Sequence, residues 1–314
     1  MTLVLPTLTS APPPREDAPA VLAHVLAVLK ATVVGDDGGP LERALARLAV
    51  QATAWYCMEL PWRTLLAGPT GSGKSLIART IAASLGVPMV RFCVTDMAEA
   101  TWSGPQLSDT LRGLCGGVSS HAAQTDGVTM TVRDVAPRGI LVLDEICKLS
   151  LASYGDHRHE RESASWRRGR QETLLPLLDP EGVVTAVAAK DAVPLRIETH
   201  KLAVLSTGAF AMLPTGHPIT SRTLTEVGFL PELADRVGSV VSLPGVDARV
   251  RTHLVQVRQS AYDGLARALG VPDALVALSD AASSLDIESF AGPRSLAHAV
   301  EGIACDRIVR ALLR

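Results

Sequence analysis

A strand, a glycine-rich turn and a helix in immediate succession constrain this chain more than any other feature. Arg63–Ala67 ("RTLLA") has the apolar run of a strand, "GPTGSGKS" (68–75) follows it, and a helix is predicted from Gly73 to Leu85 with Gly86 as its stop. The turn fits G-x-x-x-x-G-K-S through Gly68, Gly73, Lys74 and Ser75. Such glycines let successive backbone N–H groups close around phosphate oxygens at a helix N-terminus. The lysine then reaches the β and γ phosphates of a nucleotide, and the hydroxyl after it ligates Mg²⁺. Pro69, Thr70, Gly71, Ser72, Gly73, Lys74, Ser75 and Leu76 are therefore the expected nucleotide-binding segment, with Ser75 also a metal ligand. An ordinary glycine turn would not need strand, lysine, hydroxyl and helix to coincide.

The rest of the chain supplies the strands such a loop requires. "MVRFCV" (89–94) reads as a second strand, and "GILVLDE" (139–145) and "KLAVLS" (201–206) are near-continuous apolar runs. That is the pattern of strands covered on both faces of a parallel sheet. Separated by helical stretches, they predict a three-layer α/β fold with ligand groups at the carboxyl ends of the strands. Val21 to Lys30 and "LERALARLAVQATAWY" (41–56) read as helices. "EGVVTAVAAKDAVPLRIET" (181–199) predicts a hairpin turning at Lys190-Asp191. "APPPREDAPA" (11–20) is Pro-rich and polar, so residues 1–20 are expected to be a disordered tail. Residues 21–243 are then the large α/β domain and 244–314 a small all-α domain.

"GILVLDE" ends in Asp144-Glu145, and carboxylates at the end of a buried strand need partners or a task. Beside a phosphate-binding loop, Asp144 is expected to hold Mg²⁺ through its shell and Glu145 to polarise an attacking water. The second role specifies hydrolysis, because a phosphate-loop kinase has no use for a water-activating glutamate.

A formal net charge of −2 provides no global field to attract nucleic acid or an anionic membrane, so any such binding must be local. Cys57, Cys93, Cys115, Cys147 and Cys305 are odd in number and never spaced C-x-x-C, which argues against a disulfide framework or a structural zinc. No apolar stretch approaches the roughly 20 residues of a membrane-spanning helix. "MTLVLPTLTS" lacks the basic start of a signal peptide. A soluble, cytoplasmic protein without a membrane partner is expected.

In order along the chain, these and other segments resemble the ClpX/HslU branch of the AAA+ ATPases, the ring-forming Clp unfoldases. "GILVLDEICKLS" (139–150) is similar to that branch's Walker B segment, and "HKLAVLSTGAFAML" (200–213) to its sensor-1 strand. "FLPELADRVGSVVSL" (229–243) is similar to its L-I-P-E-F-x-x-R segment, "AGPRSLAHAVE" (291–301) to its sensor-2 helix, and "VVG" (33–35) to its V-I-G. The resemblance implies that Val33 and Val34 contact adenine, and that Thr207, with Ser206 as the alternative, orients water and γ-phosphate. It implies that Arg236 reaches a neighbouring subunit's ATP as an arginine finger and that Arg294 is the sensor-2 arginine. A planar, permanently charged guanidinium suits the charge spread over phosphate oxygens in the transition state. A finger supplied by a neighbour requires a ring, so a homohexamer using ATP and Mg²⁺ is expected.

At Trp102 the resemblance places an axial pore loop: "TWSG" (101–104) stands where the branch has G-Y-V-G, whose aromatic grips a polypeptide. An indole offers large contact area without sequence demand, which suits a protein client. "DHRHERESASWRRGR" (156–170) falls where the branch has a second pore loop and reads as a solvated, flexible charged loop. Its Trp166, Arg167, Arg168 and Arg170 also admit a nucleic-acid surface, so a DNA- or RNA-acting motor or loader is one alternative. A low-turnover assembly ATPase is another. The branch's zinc-binding N-terminal domain is not recognisable, and no peptidase-docking I-G-F lies between Phe210 and Phe229. The expectation is a ClpX-like remodelling ATPase that works without a ClpP-type peptidase.

Overall fold

The apolar runs form a five-stranded parallel sheet. The computed structural model of the protein describes residues 11–33, 39–97, 107–114, 120–125, 128–134, 138–151, 160–186, 195–214, 217–245, 248–271 and 293–313. The chain divides into two compact units, the first ending at Leu243 and the second containing Pro244–Arg314. In the first, β1 (Arg63–Ala67), β2 (Met89–Cys93), β5 (Gly139–Asp144), β8 (Leu202–Gly208) and β9 (Ser239–Ser242) lie in the order β2-β5-β8-β1-β9. Each pairing is parallel.

Side chains alternate across this sheet into two cores. Leu66, Ile140, Val142, Ala203 and Leu205 pack with α1 (Ala18–Thr32), α2 (Pro40–Met58) and α3 (Lys74–Leu85). Leu65, Ala67, Leu141, Leu143 and Val204 pack on the other face with α4 (Leu107–Leu111), α5 (Glu160–Leu178), α6 (Ser221–Glu226) and α7 (Pro231–Arg236). Neither face of the central strands meets water, which is why they read as unbroken apolar runs. Each fully buried Leu or Ile contributes about 1.5–3 kcal/mol relative to an exposed one.

A second sheet has the order β3-β4-β7-β6, from β3 (Ser120–Thr125), β4 (Val128–Asp134), β6 (Val183–Ala186) and β7 (Leu195–Glu198). β6 and β7 are the expected hairpin, antiparallel from Val183 opposite Glu198 to Ala186 opposite Leu195. Its expected turn, Lys190-Asp191, lies outside the described residues. The antiparallel pair β3 and β4 was not expected from the sequence. The two residues between them, Asp126-Gly127, are the short-range hairpin signal that identifies it.

Residues 11–20 correct the expectation of a disordered tail. Asp17 caps α1 by accepting the Ala20 N–H at 3.0 Å. Arg15 Nε donates to the Tyr56 carbonyl at 2.8 Å and its Nη2 pairs with Glu59 at 3.2 Å. The run Pro12–Pro14 does not prevent order once an arginine anchor and a helix cap follow it. In the second unit, α8 (Ala248–Ala268) and α9 (Pro293–Leu312) meet through Ala266, Ala304 and Ile308. Among the described residues no helix is long and apolar enough to cross a membrane.

Candidate nucleotide site

β1 delivers the glycine-rich loop to the carboxyl edge of the sheet, where the Gly68 N–H donates to the Gly208 carbonyl at the end of β8, 3.1 Å away. Gly71 and Gly73 have φ of 89° and 88°. That left-handed backbone costs a residue with a Cβ about 1–2 kcal/mol, so both turns require glycine. Ser72 is buried, whereas Pro69, Thr70 and Gly71 are exposed. Lys74 is the first residue of α3, and its Nζ folds back to donate to the carbonyls of Gly68 at 2.6 Å and Pro69 at 2.8 Å. Ser75 and Leu76 follow, both half-buried.

Parallel register brings the other candidates to the same edge. Leu66 lies opposite Thr207, Leu143 opposite Ser206, and Cys93 opposite Asp144. Asp144 is 7% exposed and fully engaged. Its Oδ1 accepts from the Thr207 hydroxyl and from the Glu145 N–H at 3.0 Å. Its Oδ2 accepts from Arg91 Nε at 2.6 Å and pairs with Arg91 Nη2. Burial would raise the Asp144 pKa, but the Thr207 hydrogen bond, the Arg91 charge and hydrogen bond, and the Glu145 N–H outweigh it and hold it below its ordinary value. Asp144 is thus kept as a carboxylate.

Glu145 turns out of the strand with φ of 60° and is exposed. A non-glycine residue in this region carries strain of a kind that clusters at functional sites. Cys93 Sγ is the side-chain donor to its Oε2, at 3.8 Å. Thr207 and Ser206 part company here: Thr207 reaches the carboxylate, while Ser206 Oγ is buried with no hydrogen-bond partner.

The described residues contain no cluster of three His, Cys, Asp or Glu side chains able to hold a metal alone. Ser75 and Asp144 instead offer two hard oxygens, which fits the partial protein set that Mg²⁺ uses together with phosphate oxygens and water.

The remaining candidates are described each in its own element. Val33 caps α1 and its side chain is 7% exposed within the helical core; Val34 lies outside the described residues, as does Trp102. Arg236 ends α7, donates to the Leu175 carbonyl at 3.1 Å and pairs with Asp179 at 3.7 Å. Arg294 is the second residue of α9.

The arginine-rich stretch is corrected. Glu160 onward is helical, as part of α5, and two of its arginines face inward. Arg170 is buried, donates to the carbonyls of Thr95 at 3.1 Å and Met97, and stacks over the Trp166 ring. Arg167 donates to the Ser150 carbonyl at 3.0 Å, and Arg168 pairs with Glu172. A stacking surface for bases would need these groups turned outward. His157 and His159 lie outside the described residues.

One residue beside the candidates was missed: Arg91, visible as the one charge within "MVRFCV".

Residues 64–202 match the family model described as "ATPase family associated with various cellular activities (AAA)". That stretch holds the glycine-rich loop and Asp144-Glu145 on a parallel sheet. The stretch is similar to an AAA domain. Over 155 residues, 48% of the chain, the protein is 32% identical to the ATP-dependent Clp protease ATP-binding subunit ClpX of Borrelia duttonii (strain Ly). The same figures hold for the protein of that name from Borrelia recurrentis (strain A1). The match spans 32% of those relatives' length. The AAA match ends before Thr207, Arg236 and Arg294, so their roles rest on the resemblance of the segments around them.

Proposed function

We propose that the protein is a ClpX-like AAA+ ATPase that binds ATP, hydrolyses it in a homohexameric ring and uses the energy to remodel a protein client. The observation that carries this reading is the convergence of the Lys74 loop, Asp144-Glu145 and Thr207 at the carboxyl ends of the adjacent strands β1, β5 and β8. The name shared by the two ClpX relatives describes an ATP-binding subunit, which accords with it.

In this reading Lys74 exchanges its two loop carbonyls for the β and γ phosphates, and Ser75 and Asp144 supply the protein oxygens for Mg²⁺. When bound, that ion neutralises charge on the phosphates. Glu145, free of the ladder and exposed, accepts the proton of the attacking water. Thr207 holds Asp144 in place and faces the same edge, where it can sense the γ-phosphate. Arg236 and Arg294 supply guanidinium charge, the first to a neighbouring subunit. Val33 and Val34 receive adenine, and Trp102 grips the client in the axial pore. The lack of an I-G-F tripeptide between Phe210 and Phe229 supports action without a ClpP-type peptidase, and the cytoplasm is the proposed location.

Glu145→Gln tests the reading, because it should bind ATP, lose turnover and retain its client. Recovery of a specific protein in an ATP-dependent manner is the expected result. Retention of nucleic acid alone would overturn the protein-remodelling reading, and ATP-dependent co-purification with a ClpP-type peptidase would overturn the stand-alone one.

A further inference from the structure

We infer that Arg91 is a built-in competitor for the divalent cation at Asp144, so that magnesium must displace a guanidinium to enter. The inference rests on the nucleotide-hydrolysis reading above. Arg91 sits on β2, the edge strand of the parallel sheet, directly beside β5. It lies opposite Val142, two residues before Asp144, and its side chain runs toward the carboxyl edge to reach the carboxylate. Both Nε and Nη2 fall on one oxygen, Oδ2. The other oxygen is taken by Thr207 and the Glu145 N–H.

The carboxylate expected to receive Mg²⁺ therefore has no oxygen left without a donor. The Glu145 N–H at the end of β5 cannot withdraw without disturbing the strand, and the buried Thr207 hydroxyl on β8 can only turn about its own χ1. Arg91 can withdraw, because its side chain is 55% exposed on a long flexible stem. A hard divalent cation, or a water of its shell, would seek the same Oδ2 lone pairs that the guanidinium occupies. The consequence is a site that is electrically satisfied before magnesium arrives and yields only when the cation, carried by phosphate, outcompetes the arginine.

The opposite role would also be physically sensible: Arg91 could merely prop the carboxylate in a cation-binding pose. The two roles differ in sign. The experiment measures the dissociation constant of a fluorescent ADP analogue in excess Mg²⁺ and in EDTA, and takes the ratio as the magnesium enhancement. Arg91→Ala should raise that enhancement about three- to tenfold, and Arg91→Lys, which keeps the charge but loses the fork, should fall between it and the wild type. In an Asp144→Asn background, Arg91→Ala should leave the ratio unchanged. An enhancement that falls or stays the same in Arg91→Ala overturns the inference while leaving the nucleotide site standing. A rise that persists in the Asp144→Asn background also overturns it, since Arg91 would then act on the nucleotide itself. Failure of the wild type to bind the analogue in either condition would overturn the nucleotide reading as well.

Discussion

Gln171 and Leu230 join the middle of α5 to the start of α7: the Leu230 N–H donates to Gln171 Oε1 at 2.6 Å. The same buried amide donates from Nε2 to the carbonyls of Leu149 at 2.9 Å and Gly228 at 3.1 Å. One side chain thus ties the turn that follows Glu145 to the helix that ends in Arg236. Gln171→Leu fills the space but strands one N–H and two carbonyls. The expected loss of stability is about 2–4 kcal/mol, read as a lower urea midpoint at unchanged slope.

Gly238 precedes β9 with φ of +79°, and a Cβ built there would lie 2.1 Å from the Arg63 carbonyl oxygen. That carbonyl belongs to the first residue of β1, the neighbouring strand, so the backbone cannot retreat without shifting the loop-bearing strand. Strain and clash act together, and Gly238→Ala should destabilise the fold by about 3 kcal/mol or more. A thermal midpoint within a degree or two of the wild type would show that the turn relaxes freely.

The sheet was legible because its central strands are covered on both faces, which writes Ile140 to Leu143 and Leu202 to Leu205 as unbroken apolar runs. The edge that carries the Lys74 loop and Asp144 was legible for the same reason, since parallel strands end on one side of the sheet, whereas Thr207 was named only through the resemblance of its segment. Contacts between distant segments left no periodic trace. Arg170 and Arg167 looked solvated by composition, yet backbone carbonyls at 3.1 Å and 3.0 Å draw them inward. Arg63 is a further case: it is 8% exposed and donates to six carbonyls, including those of Leu202 at 2.6 Å and Thr199 at 2.8 Å. Burial lowers its pKa to about 10, and it remains charged at neutral pH. Nothing in "RTLLA" distinguishes that residue from a surface arginine at a strand end.

Asp144 makes the fold pH-dependent in a stated direction. Its folded pKa lies below the ordinary 3.8, so the unfolded chain binds this proton more readily than the native one. The stability it contributes is fully present above that ordinary value and is lost as pH falls through the lower, folded one. Asp144→Asn should be less stable than the wild type at pH 7, with the gap narrowing below 3.8. Urea unfolding of both proteins along a pH series measures this, and a constant gap would mean that the Arg91 and Thr207 contacts do not depend on the carboxylate charge.

Arg236 is held within its own subunit by the Leu175 carbonyl and, more loosely, by Asp179, and its side chain is 38% exposed. A guanidinium held so lightly can be exchanged for a phosphate, provided that a neighbour presents one. If Arg236 completes an adjacent site, Arg236→Ala should lower ATP turnover about a thousandfold while the affinity of its own subunit for nucleotide stays near that of the wild type. Lys74→Met subunits should fail for the opposite reason, because they keep the arginine but lose the phosphate grip. Mixing the two inactive proteins then decides the matter: a Lys74→Met subunit can lend its Arg236 to a neighbour whose own loop is intact. Turnover should reappear in the mixture. Activity that stays absent in mixed assemblies of verified composition would place Arg236 in the architecture of α7 and α5 and out of the reaction.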